Sequence, residues 1–282
     1  MGASAKKLNP EPKLPRVHGL WLKTLRAPFR YLLVFAHMRS GSTLLVHLLN
    51  SSPQIIGYGE SKTLYCNEAD FDTLLSKVSL FFGKIRLSEK YVMDKIVQDE
   101  LFVKTDLLHR PDVQCIFLLR DATQTLPSIT DMYIRVFPQL HANWTGGENE
   151  ALEYYQSRLN KLARLAEEAS NGNKPILVTY DEILSCPEEV FKLLQNSLGI
   201  DNNFSDNYSI HKATGVPVIG DFSQEIRTGK IQRSKRRPER EISQHLIEKG
   251  ECCYREAILN LRKCCQSISP TLGVDNAFNN QA

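Results

Sequence analysis

An open parallel sheet covered by helices on both faces is the fold this sequence predicts, and three observations predict it. Residues Tyr31 to Asn50, YLLVFAHMRSGSTLLVHLLN, run from a short apolar stretch through a turn of small hydroxyl residues into a leucine stripe at helical spacing. Gln114 to Leu119, QCIFLL, is an unbroken apolar run of strand length that ends on Arg120-Asp121. Around them short apolar runs alternate with amphipathic stretches, the order in which strand–helix–strand crossovers build a parallel sheet.

The chain has 282 residues, enough for one large α/β domain. A hydrophobic fraction of 42% and a charged fraction of 24% are those of an ordinary globular protein, and a net charge of +3 does not by itself argue for nucleic acid. No apolar run approaches the roughly 20 residues that cross a bilayer. The N-terminus lacks the apolar core of a secretion signal, and Lys6 stands where a myristoylation motif needs Ser or Thr. The seven cysteines follow no secreted-domain spacing, so a reducing, cytoplasmic compartment is expected. Cys252-Cys253 and Cys264-Cys265 look like two metal half-sites. On one helix, at about 1.5 Å per residue, they lie about 16 Å apart, too far for one zinc ion. Cys253 and Cys264 instead share an apolar stripe with Ala257 and Leu261, and no metal site is expected.

In order, residues 1–28 form a proline-bearing, flexible lead-in, with Trp21-Leu22 able to pack on the domain. A single domain spans 29–268, and 269–282 is a polar tail. Tyr31 to Phe35 is the first strand, and Leu44, Leu45, Leu48 and Leu49 mark the first helix, which Pro53 ends. Ile55-Ile56 is a second buried strand running into Gly57-Tyr58-Gly59-Glu60-Ser61. A helical pattern covers 62–82 through Leu64, Leu74, Leu75 and Val78; Tyr91 to Ile96 and Leu101 to Lys104 read as short strands. After the 114–119 strand a helix is expected to about Met132, then a polar loop from His141 to Asn149 that could serve as a lid. Leu152, Tyr155, Leu159, Leu162 and Ala166 recur at threes and fours, an amphipathic helix that Asn171-Gly172-Asn173 stops. Pro175 to Thr179 is a strand, and Glu188 to Leu198 a helix closed by Gly199. Periodicity fails from Asn202 to Glu239, and a last helix covers about Arg240 to Ile268.

The turn His37-Met38-Arg39-Ser40-Gly41-Ser42-Thr43 carries the chemistry. A strand-to-helix turn presents unpaired N–H groups at the positive end of a helix dipole, where an anion of phosphate size fits. The plain alternative is a helix cap supplied by Ser40 or Ser42. A nucleotide kinase would need G-x-x-x-x-G-K-[ST]. Aligned on Gly41, this chain has Ala36 for the first Gly and Ser42 for the Lys, so no lysine reaches a terminal phosphate. In a sheet of this kind ligands sit beyond the C-terminal strand ends, which places the turn, the 57–61 loop, Lys104 to Asp106 and Arg120-Asp121 along one edge.

At these residues the chain resembles the sulfotransferases that use 3′-phosphoadenylylsulfate (PAPS), whose fold is P-loop-like. Their phosphosulfate loop reads basic-x-Gly-Thr/Ser-Thr after the first strand, as in Arg39-Ser40-Gly41-Ser42-Thr43. Their second signature is an Arg at a later strand end with a Ser eight residues on, matched by Arg120 and Ser128 in RDATQTLPS; Ala122 departs from the usual Pro. The resemblance spans about residues 31–240, with 132–170 matched by pattern alone. It implies that Arg120 and Ser128 hold the 3′-phosphate, that the turn takes the 5′ oxygens, and that Arg39 neutralises charge on the bridging oxygen. Lys104 is a second candidate for that charge, or a solvated lysine. Glu60, in a Gly-rich loop, is the expected general base, as in bacterial and carbohydrate members. Asp106, standing where cytosolic members have a His, is the runner-up base or a carboxylate that orients a cationic acceptor. His37 and His47 read as structural, and His109 as shifted out of the site.

Residues 226–240, IRTGKIQRSKRRPER, are strongly basic. They lack the interleaved aromatics of a nucleic-acid platform. Arg227-Thr228-Gly229-Lys230 resembles the late basic-Gly segment that closes over the 3′-phosphate, and Phe222 is a stacking candidate for adenine or a core residue. The resemblance therefore implies transfer of a sulfuryl group to an O–H or N–H, with adenosine 3′,5′-bisphosphate (PAP) as product and no metal. The IIGYGES loop is most similar to natural-product enzymes such as those sulfating guanidinium alkaloids of the saxitoxin type. The expected partner is a small-molecule acceptor, without nucleic acid or a membrane span, and a homodimer stays open. Competing readings are a kinase with a degenerate P-loop and a non-catalytic nucleotide-binding protein.

Overall fold

The first strand, β1 (Arg30–Ala36), is apolar on both faces because both faces are covered. Tyr31, Leu33 and Phe35 join one buried cluster and Leu32, Val34 and Ala36 the other. A computed structural model describes residues 29–57, 59–100, 102–136, 147–201, 204–210, 225–233 and 240–268. After β1 come α1 (Ser42–Asn50), β2 (Ile55–Ile56), α2 (Ala69–Phe82), β3 (Tyr91–Ile96), α3 (Thr105–Leu108) and β4 (Val113–Leu119). Then follow α4 (Ala122–Val136), α5 (Glu148–Ala169), β5 (Ile176–Thr179), α6 (Tyr180–Ser185), α7 (Pro187–Leu198) and α8 (Gln244–Cys264).

The five strands form one parallel sheet in the order β2-β3-β1-β4-β5. β1 is central, with Phe35 opposite Ile96 of β3 and Ala36 opposite Leu118 of β4. The C-terminal ends of β3, β1 and β4 therefore lie side by side, so the segments that leave them share one edge. The face carrying Tyr31, Leu33 and Phe35 packs against α2, α5 and α8, through Phe71, Leu74, Tyr155, Leu159, Leu162 and Leu261 among others. The opposite face packs against α1 and α7, through Leu45, Leu48, Leu49, Val190 and Leu194.

Several expectations need correction. The helix expected over 62–82 begins only at Ala69, because the Asp70 carboxylate accepts the backbone N–H groups of Cys66 and Asn67 and fixes a start there. Leu64 lies outside it, half exposed. Among the described residues of 101–104 there is no strand: Val103 makes one isolated bridge to Tyr65, and Lys104 leads into the single turn of α3. The last helix is shorter than its pattern at both ends. Beyond it Gln266 bridges to Ile176 and exchanges backbone hydrogen bonds with Pro175 and Leu177, so the chain after the helix finishes the β5 side of the sheet. Within the described part of 202–239, Glu225–Thr228 forms a 3-10 turn and Lys230 bridges to Asn207.

Cys253 and Cys264 are partly buried against the core, while Cys265 and Cys115 are fully buried. Burial pushes the Cys115 thiol up to about 12. The lead-in with Trp21-Leu22, the tail, Phe222, the Lys235-Arg236-Arg237 cluster and residues 141–146 of the lid expectation lie outside the described residues. Glu148 and Asn149, the end of that expected loop, already belong to α5. No described helix is long and apolar enough to cross a membrane.

Candidate active site

The turn after β1 is held by backbone conformations that most residues avoid. Arg39 has φ 61° and Gly41 has φ 87°, on either side of Ser40. Successive N–H groups in such a left-handed arrangement converge on a concave anion-binding surface. Gly41 is required twice over. Its φ lies in the left-handed region, and a Cβ there would stand 2.2 Å from the Tyr180 ring. No side chain caps α1, so the cap reading for Ser40 and Ser42 does not hold. The Ser40 hydroxyl is buried with no hydrogen-bond partner among the described residues. A buried polar oxygen left unsatisfied costs about 1–3 kcal/mol, which a ligand oxygen at this turn would relieve.

Four side chains from other elements grip the turn. Tyr154 of α5 accepts the Met38 N–H through its hydroxyl at 2.9 Å. Arg39 Nε donates to Ser128 Oγ of α4 at 2.9 Å. Arg120, leaving β4, donates from Nη1 to the Arg39 carbonyl at 3.1 Å and from Nη2 to Gln124 at 2.7 Å. Its guanidinium lies 4.2 Å from the centre of the Tyr180 ring, the same ring that packs on Gly41. The two motifs separated in sequence, 39–43 and Arg120 with Ser128, are thus in direct contact.

His37, within the turn, supplies a further link. Its Nε2 accepts the Arg120 backbone N–H at 3.0 Å, which leaves Nδ1–H to donate to the Met38 carbonyl at 2.9 Å. Both bonds need the neutral ring. Burial, with the Arg120 and Arg158 charges adding to it, pushes the imidazole down from 6.5 to about 3. Between about 6.5 and 3 the unfolded chain takes up a proton here that the folded chain does not, so stability falls as pH drops through that window. The slope is at most ~1.4 kcal/mol per pH unit. Urea midpoints of the parent chain and His37→Asn should therefore converge on acidification; parallel curves would show that His37 is not held neutral.

On the other flank, Lys95 of β3 reaches the turn. Its Nζ lies 3.1 Å from Glu60 Oε1 and donates to the Thr43 hydroxyl at 3.4 Å. Lys95 is 4% exposed and Glu60 14%, so this pair is shielded from water, unlike a surface salt bridge. Gly57, expected to let the backbone approach a ligand, instead approaches protein: a Cβ there would stand 2.3 Å from the Met93 carbonyl oxygen.

Lys104 and Asp106 are not drawn into this cluster. They pair with each other at 2.9 Å, with side chains 55% and 74% exposed, and Lys104 leads into the single turn of α3. The Lys104 ammonium beside it holds the Asp106 carboxyl below its usual range. His109 donates from Nε2 to the Glu168 carbonyl of α5, and His47 bonds the Thr43 carbonyl through Nδ1. The segment Arg227-Thr228-Gly229-Lys230 packs beside α1. Tyr208 bonds the Gly229 carbonyl with its N–H and the Ile226 carbonyl with its hydroxyl, and its ring meets His47 edge-on at 5.6 Å.

Lys95, Arg158 and Tyr180 escaped the sequence reading. Asp94-Lys95 in the otherwise apolar strand YVMDKI, and Arg158 beside Tyr155 and Leu159 on an apolar stripe, were signals in plain view, since charges are almost never buried without a partner. Among the described residues no group of acidic, His or Cys side chains could hold a metal.

No protein-family model matches this sequence, and no curated protein matches it. Among solved structures it is similar to mouse sulfotransferase SULT7A1 complexed with PAP, with 14% identity and a TM-score of 0.52 over 86% of this chain and 93% of that one. It is also similar to a sulfotransferase domain from the curacin biosynthetic pathway, with 15% identity and a TM-score of 0.44 over 63% and 76% of the two chains. A third is retinol dehydratase in complex with androsterone and inactive cofactor PAP, with 14% identity and a TM-score of 0.38 over 65% of each. The likeness to the mouse enzyme establishes the fold, a helix-flanked parallel α/β sheet of the kind found in sulfotransferases.

Proposed function

We propose that this chain is a PAPS-dependent sulfotransferase that moves a sulfuryl group to a hydroxyl or amine of a small-molecule acceptor. The observation that carries the reading is the joining of its two motifs: Arg39 to Ser128, and Arg120 to the Arg39 carbonyl, around a turn whose Ser40 hydroxyl is buried without a hydrogen-bond partner among the described residues. That set fits a nucleotide with two separate anionic ends. The N–H groups of the turn, with the Ser42 and Thr43 hydroxyls, would hold the 5′ oxygens. Arg120 and Ser128 would hold the 3′-phosphate, and Arg227 and Lys230, at the α1 side, would close over it. The PAP in the mouse structure's complex supports the same ligand class.

When bound, PAPS supplies a sulfuryl group whose sulfur–oxygen bond to the phosphate breaks as one to the acceptor forms, leaving the bisphosphate. The chain's own residues do the rest. Glu60 takes the acceptor proton on its carboxylate. Arg39 and Lys95 stand on opposite flanks of the turn and set positive charge where a leaving oxygen gains negative charge. Lys95 takes the role expected of Lys104. The natural-product acceptor class rests on the resemblance of the IIGYGES loop, and a cytoplasmic location on the composition.

Thermal melts test the ligand. At a hundredfold excess over Kd, the bisphosphate should stabilise the chain by about 2.7 kcal/mol, Mg-ATP should not, and Arg120→Ala should remove the shift. Radiolabelled PAPS with a panel of alcohols, phenols and amines tests the activity. Equal stabilisation by Mg-ATP, or no label on any acceptor, would sink the proposal.

A further inference from the structure

Asp94 lies in β3, next to Lys95, and is 1% exposed. Its carboxylate is saturated: Oδ1 accepts the Ser61 N–H at 2.8 Å and the Lys95 N–H at 2.9 Å. Oδ2 accepts the Ser61 hydroxyl at 2.6 Å and the Tyr65 hydroxyl at 2.7 Å. The Lys95 N–H also reaches the Gly59 carbonyl at 3.1 Å. Glu60 is therefore bracketed. The residue before it is bonded to Lys95, the residue after it is bonded twice to Asp94, and its own carboxylate pairs with the Lys95 ammonium. Lys77 of α2 closes the outside of the loop by donating to the Ser61 carbonyl at 2.8 Å.

From this geometry we infer that Asp94 is a positioning residue for the Glu60–Lys95 pair. The inference rests on the sulfotransferase reading and deepens it. A buried carboxylate is a costly way to fill a core, since an apolar residue of similar volume would pack without desolvating a charge. Burial raises the Asp94 carboxyl above the ordinary range, against the pull of its hydrogen bonds. Three of its four bonds go to the 57–65 loop. What it secures is the path of that loop, and hence the place where the Glu60 carboxylate meets an acceptor. A shift of about 1 Å in a reacting group can cost a hundredfold in rate, so a loop this tightly tied is a rate determinant. Arg39, Arg120 and Ser128, which would hold the nucleotide, are tied by separate bonds and do not depend on Asp94.

The test compares Asp94→Asn, Ser61→Ala and Tyr65→Phe with the parent chain. Label transfer from PAPS is measured to an acceptor from the panel, and melting in the bisphosphate. Asp94→Asn should lower kcat by about 10- to 100-fold while leaving KM for PAPS and the bisphosphate-induced shift within about twofold of the parent. Ser61→Ala and Tyr65→Phe, each losing one bond, should show smaller losses of the same kind, and they carry the test if Asp94→Asn does not fold. An unchanged kcat in folded variants whose melting point alone drops would reduce Asp94 to a structural residue and overturn the inference. So would a loss of PAPS affinity in step with the loss of rate. If the parent chain transfers no label at all, the functional reading itself has failed, an outcome distinct from a normal kcat in the variants.

Discussion

Glu60→Gln should lower kcat for sulfuryl transfer by about 10²- to 10⁴-fold with little change in bisphosphate binding, the range a general base contributes. The amide keeps the shape of the side chain and can still face the Lys95 ammonium through its oxygen, so the loop is not expected to move. Under the proposed function, what it loses is the capacity to take the acceptor's proton. Single-turnover transfer from bound PAPS measures this directly, and melting in the bisphosphate shows that the nucleotide site is intact. Asp106→Asn is the control: Asp106 is 74% exposed and paired with Lys104, so its loss should change kcat by less than about twofold. If the two variants exchange these phenotypes, the base has been misassigned.

The largest expected effect on stability is at Arg158. This side chain, on α5, is 1% exposed and spans the ends of two strands. Its Nε donates to the Ala36 carbonyl of β1 at 2.9 Å, Nη2 to the Ile96 carbonyl of β3 at 2.8 Å, and Nη1 to Asp99 at 2.8 Å. These are the carbonyls of the last residues of β1 and β3. Arg158→Met keeps most of the volume but strips both carbonyls of their donor and leaves Asp99 with Lys161 alone. Breaking a buried charged network of this kind costs about 3–5 kcal/mol. Urea unfolding should show that loss in the midpoint at unchanged slope. A change below about 1 kcal/mol would mean that water replaces the guanidinium, contrary to its burial.

The fold was largely legible because its signals are local. Apolar runs buried on both faces, a leucine stripe after a small-residue turn, and Gly199 closing α7 each follow from a few neighbouring residues. The errors came where one specific hydrogen-bonding or pairing partner, rather than the hydrophobic period, decides the outcome. Leu64 fits a helical stripe, yet the Asp70 carboxylate starts the helix five residues later. Leu101 to Lys104 has strand composition, yet one bridge to Tyr65 is all the pairing its described part finds. The resemblance points to Lys104 as a lysine at a strand end, whereas Lys104 leads into α3 and pairs with Asp106 at the surface.

By itself the sequence determined the parallel sheet and the strand-to-helix turn at Arg39 to Thr43, while Arg120 and Ser128 are marked by the family resemblance alone. Backbone propensity and hydrophobic period are written into adjacent residues, and so they survive without any knowledge of the fold. Tertiary structure alone decided that Arg39 bonds Ser128, that Tyr180 seats Gly41, and that Lys95 rather than Lys104 meets Glu60. Those contacts join positions far apart along the chain. Which of several cations reaches a site depends on strand order and register, and the order β2-β3-β1-β4-β5 brings the end of β3 beside that of β1.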